Sequence, residues 1–97
     1  MYVVIFRATI DQLDEDYVQT AQYLRQLAIN EYHCIDFQAC GQGNDEIAVS
    51  YWHSLGDIQA WRHNVDHQIA QNKGVWKWYK SCRVEIAEIV RQYERSQ

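Results

Sequence analysis

The segment HCIDFQACGQGNDEIAVSYWHS, residues 33 to 54, decides the fold. Two runs rich in β-branched and aromatic residues, at 33–40 and 45–53, flank the loop GQGND. The glycines of that loop, Gly41 and Gly43, allow the positive φ that a tight turn requires. The segment therefore predicts a β-hairpin, and the stretches on either side of it determine which fold contains the hairpin.

A strand and a helix are predicted before the hairpin. Residues 2–9, YVVIFRAT, are β-branched and aromatic, which is typical of a strand. In the segment 11–32, Asp14 is a suitable N-cap, with acidic residues in the first turn that follows it. Apolar residues then recur at helical spacing and predict an amphipathic helix of about four turns: Tyr17, Ala21, Leu24 and Ala28.

A second helix and a last strand are predicted after the hairpin. Ser54 and Asp57 have the spacing of a capping box that opens a helix through Trp61. Asp66 resembles a fresh cap, so we expect a break near it and a second helical piece from Asp66 to Lys73, ended by Gly74. The final strand is expected over residues 81–91, SCRVEIAEIVR.

The resulting order, β-α-β-β-α-β, predicts an α+β ferredoxin-like fold with an antiparallel sheet, formed as a single domain by residues 1–97. The helices of such a fold cover one face of the sheet. The strands YVVIF and EIAVSYW nevertheless carry apolar side chains on both faces. The second face therefore needs a partner, and we expect a homodimer that packs sheet to sheet.

Composition excludes several classes of partner. The formal net charge of −4 repels phosphate backbones, which argues against a nucleic-acid partner. The chain lacks an apolar run of the roughly 18 residues that a membrane span needs. The three cysteines have no paired spacing, so we expect a reducing, cytoplasmic location and no disulfide framework.

The second half of the chain resembles a known family. The segment EIAVSYWHSLGDIQAWRHNVDHQIAQNKGVWKWYKSCRVEIAEI resembles the antibiotic biosynthesis monooxygenases of the dimeric α+β barrel superfamily. The features that match are SYW closing the third strand, the aspartate and Trp61 on the next helix, His67 followed by Ala70, and Gly74 and WY before the last strand. The resemblance covers residues 46–90, and extends to the first half only through the β-α-β order.

This resemblance implies a homodimeric barrel with a pocket between each sheet and its own helices. Some members of the family oxygenate phenols or quinols with molecular oxygen and without metal, flavin or haem, which implies that this chain needs no cofactor. Two alternatives stay open, a module that binds or senses a small aromatic molecule without turnover, and a haem-binding or haem-degrading relative. Haem-degrading relatives use an asparagine on the first strand, where this chain has Phe6 and Arg7, so the haem alternative is the weaker one.

His67 is the candidate catalytic base. A neutral imidazole can remove a phenolic proton, and the formation of the substrate anion is the step that a protein can assist. A structural, hydrogen-bonded histidine is an equally good interpretation. His63 and His67 have the spacing of two metal ligands on one helix, but the sequence offers no third ligand at a firm spacing, so no metal site is predicted.

Aromatic and basic residues are the candidates for substrate binding. Trp52, Trp61 and Trp76 either pack in the core or line the pocket. Tyr79 could donate to the oxygen of a phenolate, and Arg7 or Arg83 could hold the same anion. A salt bridge is the alternative for both arginines, because charges on a buried sheet are costly unless they are paired.

Overall fold

The six predicted elements occur in the predicted order. The structure, a computed structural model, describes residues 1–72 and 78–97, with the side chains of 68–72 left out. The four strands form one antiparallel sheet in the order β2-β3-β1-β4. The ferredoxin-like prediction is thereby confirmed. The elements are β1 Tyr2–Ile10, α1 Glu15–Glu31, β2 Asp36–Gln42, β3 Asp45–Trp52, α2 Leu55–Asn72 and β4 Tyr79–Glu88.

The hairpin is tighter than predicted, and its first strand begins later. Only Gly43 and Asn44 separate β2 from β3, and Gly43 has a φ of 62°. The predicted start at residue 33 is wrong because His33 has a φ of 65°, in the left-handed region. The Cys34 N–H also still donates to the Ala28 carbonyl at the end of α1, at 3.0 Å. The chain therefore becomes extended only after this helix ending is complete.

The last strand is shifted toward the N-terminus relative to the prediction of 81–91. It begins at Tyr79, and its pairing with β1 runs to Glu88, which lies opposite Tyr2. The Ile89 N–H then donates to the Met1 carbonyl at 2.9 Å. The pairing of β4 with β1 therefore ends near Glu88, and the predicted extension of the strand to Arg91 is wrong.

Both helices begin at the predicted caps. The Asp14 carboxylate accepts the Tyr17 N–H at 2.9 Å, and Ser54 Oγ accepts the Asp57 N–H at 3.3 Å. The predicted break in the second helix is wrong, because α2 is continuous from Leu55 to Asn72. Asp66 is not a fresh cap but pairs with Arg62 one turn earlier, at 3.4 Å. The predicted end at Gly74 falls outside the described residues.

The register assigns the two faces of the sheet. Val4 lies opposite Ser50 on β3, and Phe6 lies opposite Val84 on β4, so these residues point to the helices. The core between the layers is built from residues that are at least nine-tenths buried, Val4, Leu24, Ala28, Cys34, Trp52, Ile58, Trp61 and Val65. On the other face, Ile5 lies opposite Val49. Within the described part of the chain, no helix is both long and apolar enough to cross a lipid bilayer.

Candidate functional site

A cavity of about 210 Å³ lies between the sheet and the two helices. Its walls are mainly apolar, and a few polar side chains converge on it, which is the usual composition of a small-molecule site. The apolar walls come from both layers, so the cavity exists because the two layers do not fill the space between them. These walls include Val4, Phe6, Leu24, Phe37, Ala48 and Val65.

Two tyrosines and a carboxylate form a cluster in this cavity, which we call the acidic cluster: Tyr17, Glu46 and Tyr79. The Tyr17 hydroxyl donates a hydrogen bond to Oε2 of Glu46. The Tyr79 ring packs edge-on against Tyr17, with 5.9 Å between ring centroids. The three side chains come from α1, β3 and β4, so the cluster forms only when both layers are assembled.

Both tyrosines are hydrogen-bond donors at neutral pH. Burial, followed by the hydrogen bond to Glu46, raises the pKa of Tyr17 far above its usual value. Burial also raises the pKa of Tyr79 to about 12. Glu46 is the one carboxylate among the described residues that line the cavity. It is therefore the group in this cluster that can accept a proton from a ligand.

Two arginines also line the cavity, and we call them the basic pair: Arg25 on α1 and Arg62 on α2. Arg25 Nη2 donates to the Phe37 carbonyl at 2.9 Å, and its guanidinium lies 5.8 Å from the centre of the Phe37 ring. Arg62 Nη2 lies 3.4 Å from Oδ1 of Asp66, whose side chain is 68 % exposed. The cavity thus holds a carboxylate and two cationic side chains.

Two of the aromatic residues predicted to bind substrate, Trp61 and Tyr79, line this cavity. Trp61 Nε1 donates to the Leu24 carbonyl at 3.1 Å, which fixes the indole between the helices. Trp52 lies in the core next to Trp61, with 5.3 Å between ring centroids and no exposed surface. Its Nε1 donates to Ser50 Oγ at 2.8 Å. Trp76 lies outside the described residues.

The predicted arginines lie on the opposite face of the sheet. Arg7 and Arg83 are direct cross-strand neighbours, and both are exposed. They line an open cleft of about 810 Å³ on the face that the helices do not cover. Arg83 Nε lies 3.2 Å from Oε1 of Glu85, as expected from the salt-bridge alternative. The cavity beneath the helices takes its basic groups from Arg25 and Arg62 instead.

His67 is exposed on α2 and does not line the cavity. Because α2 is continuous, His67 lies about 200° around the helix axis from Val65, which faces the cavity. His63, one turn earlier, is exposed too. Among the described residues, no three potential metal ligands lie close enough together to hold an ion.

Sequence analysis missed Glu46, and it placed Tyr17 only in the core. The signal for Glu46 is its parity with Ala48, Ser50 and Trp52 along β3, which turns all four side chains to the helices. The signal for Tyr17 is its position on the apolar face of α1. The sequence indicates the basic pair less clearly. Each arginine directly follows a buried residue of its helix, so it lies at the border of the apolar face, where a side chain can turn either to the cavity or to solvent.

Comparisons with known proteins identify one relative by sequence and several by structure. No protein-family model matches the chain. The uncharacterized protein YqjZ of Bacillus subtilis (strain 168) is 35 % identical over 92 residues, which cover 94 % of this chain and 81 % of YqjZ.

Solved structures with the same fold extend the comparison. SnoaB, a cofactor-independent oxygenase from Streptomyces nogalater, superposes with a TM-score of 0.76 at 5 % identity over 97 % of each chain. A candidate antibiotic biosynthesis monooxygenase from Deinococcus radiodurans gives a TM-score of 0.63 at 14 % identity over the full length of both chains. A protein of unknown function from Nitrosomonas europaea gives 0.70 at 13 % identity, covering 99 % of this chain and 95 % of the other.

Proposed function

Since the chain belongs to the family of Bacillus subtilis YqjZ and has the fold of the antibiotic biosynthesis monooxygenases, we propose that it oxygenates a small phenol or quinol without a cofactor. The observation that carries this proposal is the cavity between the sheet and the helices, where the carboxylate of Glu46 meets two protonated tyrosines among apolar walls. The fold is shared with SnoaB, a cofactor-independent oxygenase, and the cavity supplies groups suited to this chemistry.

Glu46 is the proton acceptor in this proposal. An ionised carboxylate has about four acceptor positions, and Tyr17 occupies one of them, so Glu46 can also accept the hydroxyl proton of a substrate. The hydroxyl of Tyr79 then donates to the oxygen on which negative charge develops, while the single O–H of Tyr17 remains on Glu46. The resulting phenolate gives up an electron to molecular oxygen more readily than the neutral phenol does.

The overall reaction balances without another reductant. A phenol with a C–H bond para to its hydroxyl reacts with one O₂ to give a quinone and one water. One oxygen atom enters the ring at that carbon, and the other leaves as water with the two hydrogens that the phenol loses. The substrate supplies all four electrons, and the protein has only to generate and hold the anion.

The role predicted for His67 stays a prediction, and the geometry favours Glu46 over it. The His67 imidazole is exposed and lies on the side of α2 away from the cavity. A base must come within hydrogen-bonding reach of the proton that it removes. In the proposed mechanism His67 therefore has no contact with the substrate.

Oxygen uptake with model phenols that carry a hydrogen para to the hydroxyl tests the two assignments against each other. We expect Glu46→Gln to lower the rate about 100-fold or more, as loss of a general base does, while His67→Ala keeps the full rate. The glutamine can still accept the Tyr17 hydroxyl, so packing is preserved. The reverse pattern would transfer the role to His67. If these phenols bind saturably but no oxygen is consumed, the protein is the non-catalytic binding module instead of an enzyme.

The haem alternative does not fit the described cavity. Its volume of about 210 Å³ is below the roughly 300–1,000 Å³ of pockets for drug-sized ligands, and haem is a large ligand. His67, the ligand expected from the resemblance, does not line it. No step of the proposed mechanism uses haem.

We also propose that the active form is a homodimer in the cytoplasm. Apolar side chains at the centre of the uncovered sheet face, among them Ile5 and Val49, support the packing of a second copy against that face. Three free thiols in the described chain, those of Cys34, Cys40 and Cys82, suit a reducing compartment.

A further inference from the structure

We propose that the cavity selects hydroxyaromatic carboxylates, with the hydroxyl at the acidic cluster and the carboxylate at the basic pair. This inference rests on the proposed function for the cavity as the ligand site and adds the class of ligand that it takes. It is based on the unequal distribution of charged side chains around the cavity.

The basic pair has charge available for an anion. Arg25 donates its hydrogen bond to a neutral carbonyl oxygen, that of Phe37, so this contact does not neutralise the charge of the guanidinium. Arg62 is paired with Asp66, but Asp66 is mostly exposed and such pairs on a helix surface are weak. A ligand carboxylate could therefore form charge-assisted hydrogen bonds with either guanidinium.

The opposite end of the cavity repels an anion. Glu46 is there, and Tyr17 satisfies only part of its capacity as an acceptor. A ligand carboxylate beside it would be destabilised by like charge, whereas a hydroxyl would be accepted as a donor. The two ends therefore impose one orientation on a ligand that carries both groups.

Two independent measures give the separation of the ends. Along α1, Tyr17 and Arg25 are eight residues apart, which is about 12 Å at the rise of a helix. Along β3, Glu46 and Ser50 are four residues apart, about 13 Å, and Ser50 lies opposite Phe37, the contact of Arg25. The side chains at both ends reach inward, which leaves room for an aromatic system of one or two rings between them.

The wall at the basic end suits such a ring system. The Phe37 and Trp61 rings meet edge-on, with 5.9 Å between centroids, and the Arg25 guanidinium lies 5.8 Å from the centre of the Phe37 ring. A flat ligand could pack against either ring while its carboxylate reaches the guanidinium groups. The cavity volume of about 210 Å³ also favours a ligand of this size over a larger polycyclic one.

Equilibrium binding of a matched pair of ligands tests the inference. 2-Naphthol and 6-hydroxy-2-naphthoic acid share a ring and a hydroxyl and differ in the carboxylate. Binding is followed by quenching of tryptophan fluorescence, which Trp61 at the cavity wall makes sensitive to occupancy. We expect the hydroxynaphthoate to bind about ten-fold more tightly, the equivalent of one charge-assisted hydrogen bond.

Variants of the basic pair locate the effect. Arg25→Met and Arg62→Met should each lower the preference for the carboxylate, measured as the ratio of the two affinities, about three-fold or more, because loss of one of two cations removes part of the attraction. Arg83→Met, on the opposite face of the sheet, removes the same charge and should leave the preference intact.

The outcomes separate this inference from the proposed function. Equal binding of the two ligands, or a preference that survives both substitutions in the basic pair, would overturn the inference and leave the proposed function standing. If only Arg83→Met lowers the preference for the carboxylate, the inference is also wrong, and the anion binds on the sheet face that the helices do not cover. Failure of both ligands to bind would reject the cavity as the site and both proposals with it.

Discussion

Tyr17 and Tyr79 keep their hydroxyls in the interface between the helices and the sheet, where an anion is costly. Burial raises the pKa of both groups, to about 12 for Tyr79, and the hydrogen bond to Glu46 raises that of Tyr17 further. In an unfolded chain a tyrosine titrates near 10. The folded protein therefore retains phenolic protons that the unfolded chain loses above about pH 10.

This difference predicts a loss of stability at alkaline pH. As pH rises from about 10 to about 12, the unfolded state is increasingly favoured, by about 1.4 kcal/mol per pH unit for each retained proton. The free energy of unfolding, measured in urea at several pH values, should therefore fall steeply over this range. Tyr79→Phe removes one of the two protons and should make the fall clearly shallower.

A matched substitution provides the control. Tyr93 is 83 % exposed, so Tyr93→Phe should leave the pH dependence as it is in the parent chain. If Tyr79→Phe and Tyr93→Phe gave the same slope as the parent, burial of the Tyr79 hydroxyl would not be the cause of the alkaline loss.

The same cavity shows why only part of the site could be predicted. Trp61 and Tyr79 line it as predicted, but Arg7 lies on the other face of the sheet. The strand YVVIFRAT is apolar on both faces, so its sequence does not reveal which face the helices cover. Once the face is known, the alternation along β1 and β3 excludes Arg7 and selects Glu46.

The two helices begin at caps of unequal importance. Asp14 accepts the N–H of Tyr17 at 2.9 Å and also Nε1 of Trp78, a residue that is only 2 % exposed, at 3.1 Å. Ser54 makes a single, longer cap contact, at 3.3 Å to the Asp57 N–H. Asp14 therefore connects the start of α1 with the residue that precedes β4.

This contrast predicts unequal costs of removing the caps. Ser54→Ala should lower the free energy of unfolding by about 1 kcal/mol or less, as expected for loss of a helix cap. Asp14→Ala should cost about 2–4 kcal/mol, because it also leaves the buried indole N–H of Trp78 unsatisfied. Urea unfolding of the two variants measures both costs, and equal losses would show that the Trp78 contact adds nothing.

Local signals predicted the existence of every element but not the continuity of α2. The caps at Asp14 and Ser54 and the hairpin glycine Gly43 act within a few residues, so their effects can be inferred from the sequence. Gly41, for which a positive φ was also predicted, lies within β2 instead. Asp66 was interpreted as a new cap, although an aspartate four residues after Arg62 is equally suited to an ion pair within a helix. Because of that interpretation, His67 was predicted to lie on a separate helical piece. In the continuous helix α2, its side chain points away from the cavity.

The sheet has two different faces. The helices cover one face and enclose the cavity against it. No described element covers the other face. The centre of the uncovered face is apolar, with Ile5 opposite Val49 and Val3 opposite Tyr51, while Arg7 and Arg83 lie toward one end. A face with an apolar centre and charged groups at its border has the character of a protein interface.

A charge at the centre of this face should prevent association of two copies. Val49→Lys would bury an unpaired ammonium group between the sheets, at a cost of several kcal/mol, so we expect the dimer to weaken about 100-fold or more. Val18→Lys is the matched control, because Val18 is 49 % exposed on α1 in the helix layer and should leave association unchanged. Sedimentation equilibrium over a range of concentrations measures both variants, and circular dichroism checks that each is folded. A parent chain that sediments as a monomer even at high concentration would contradict sheet-to-sheet pairing and leave this apolar centre without its proposed partner.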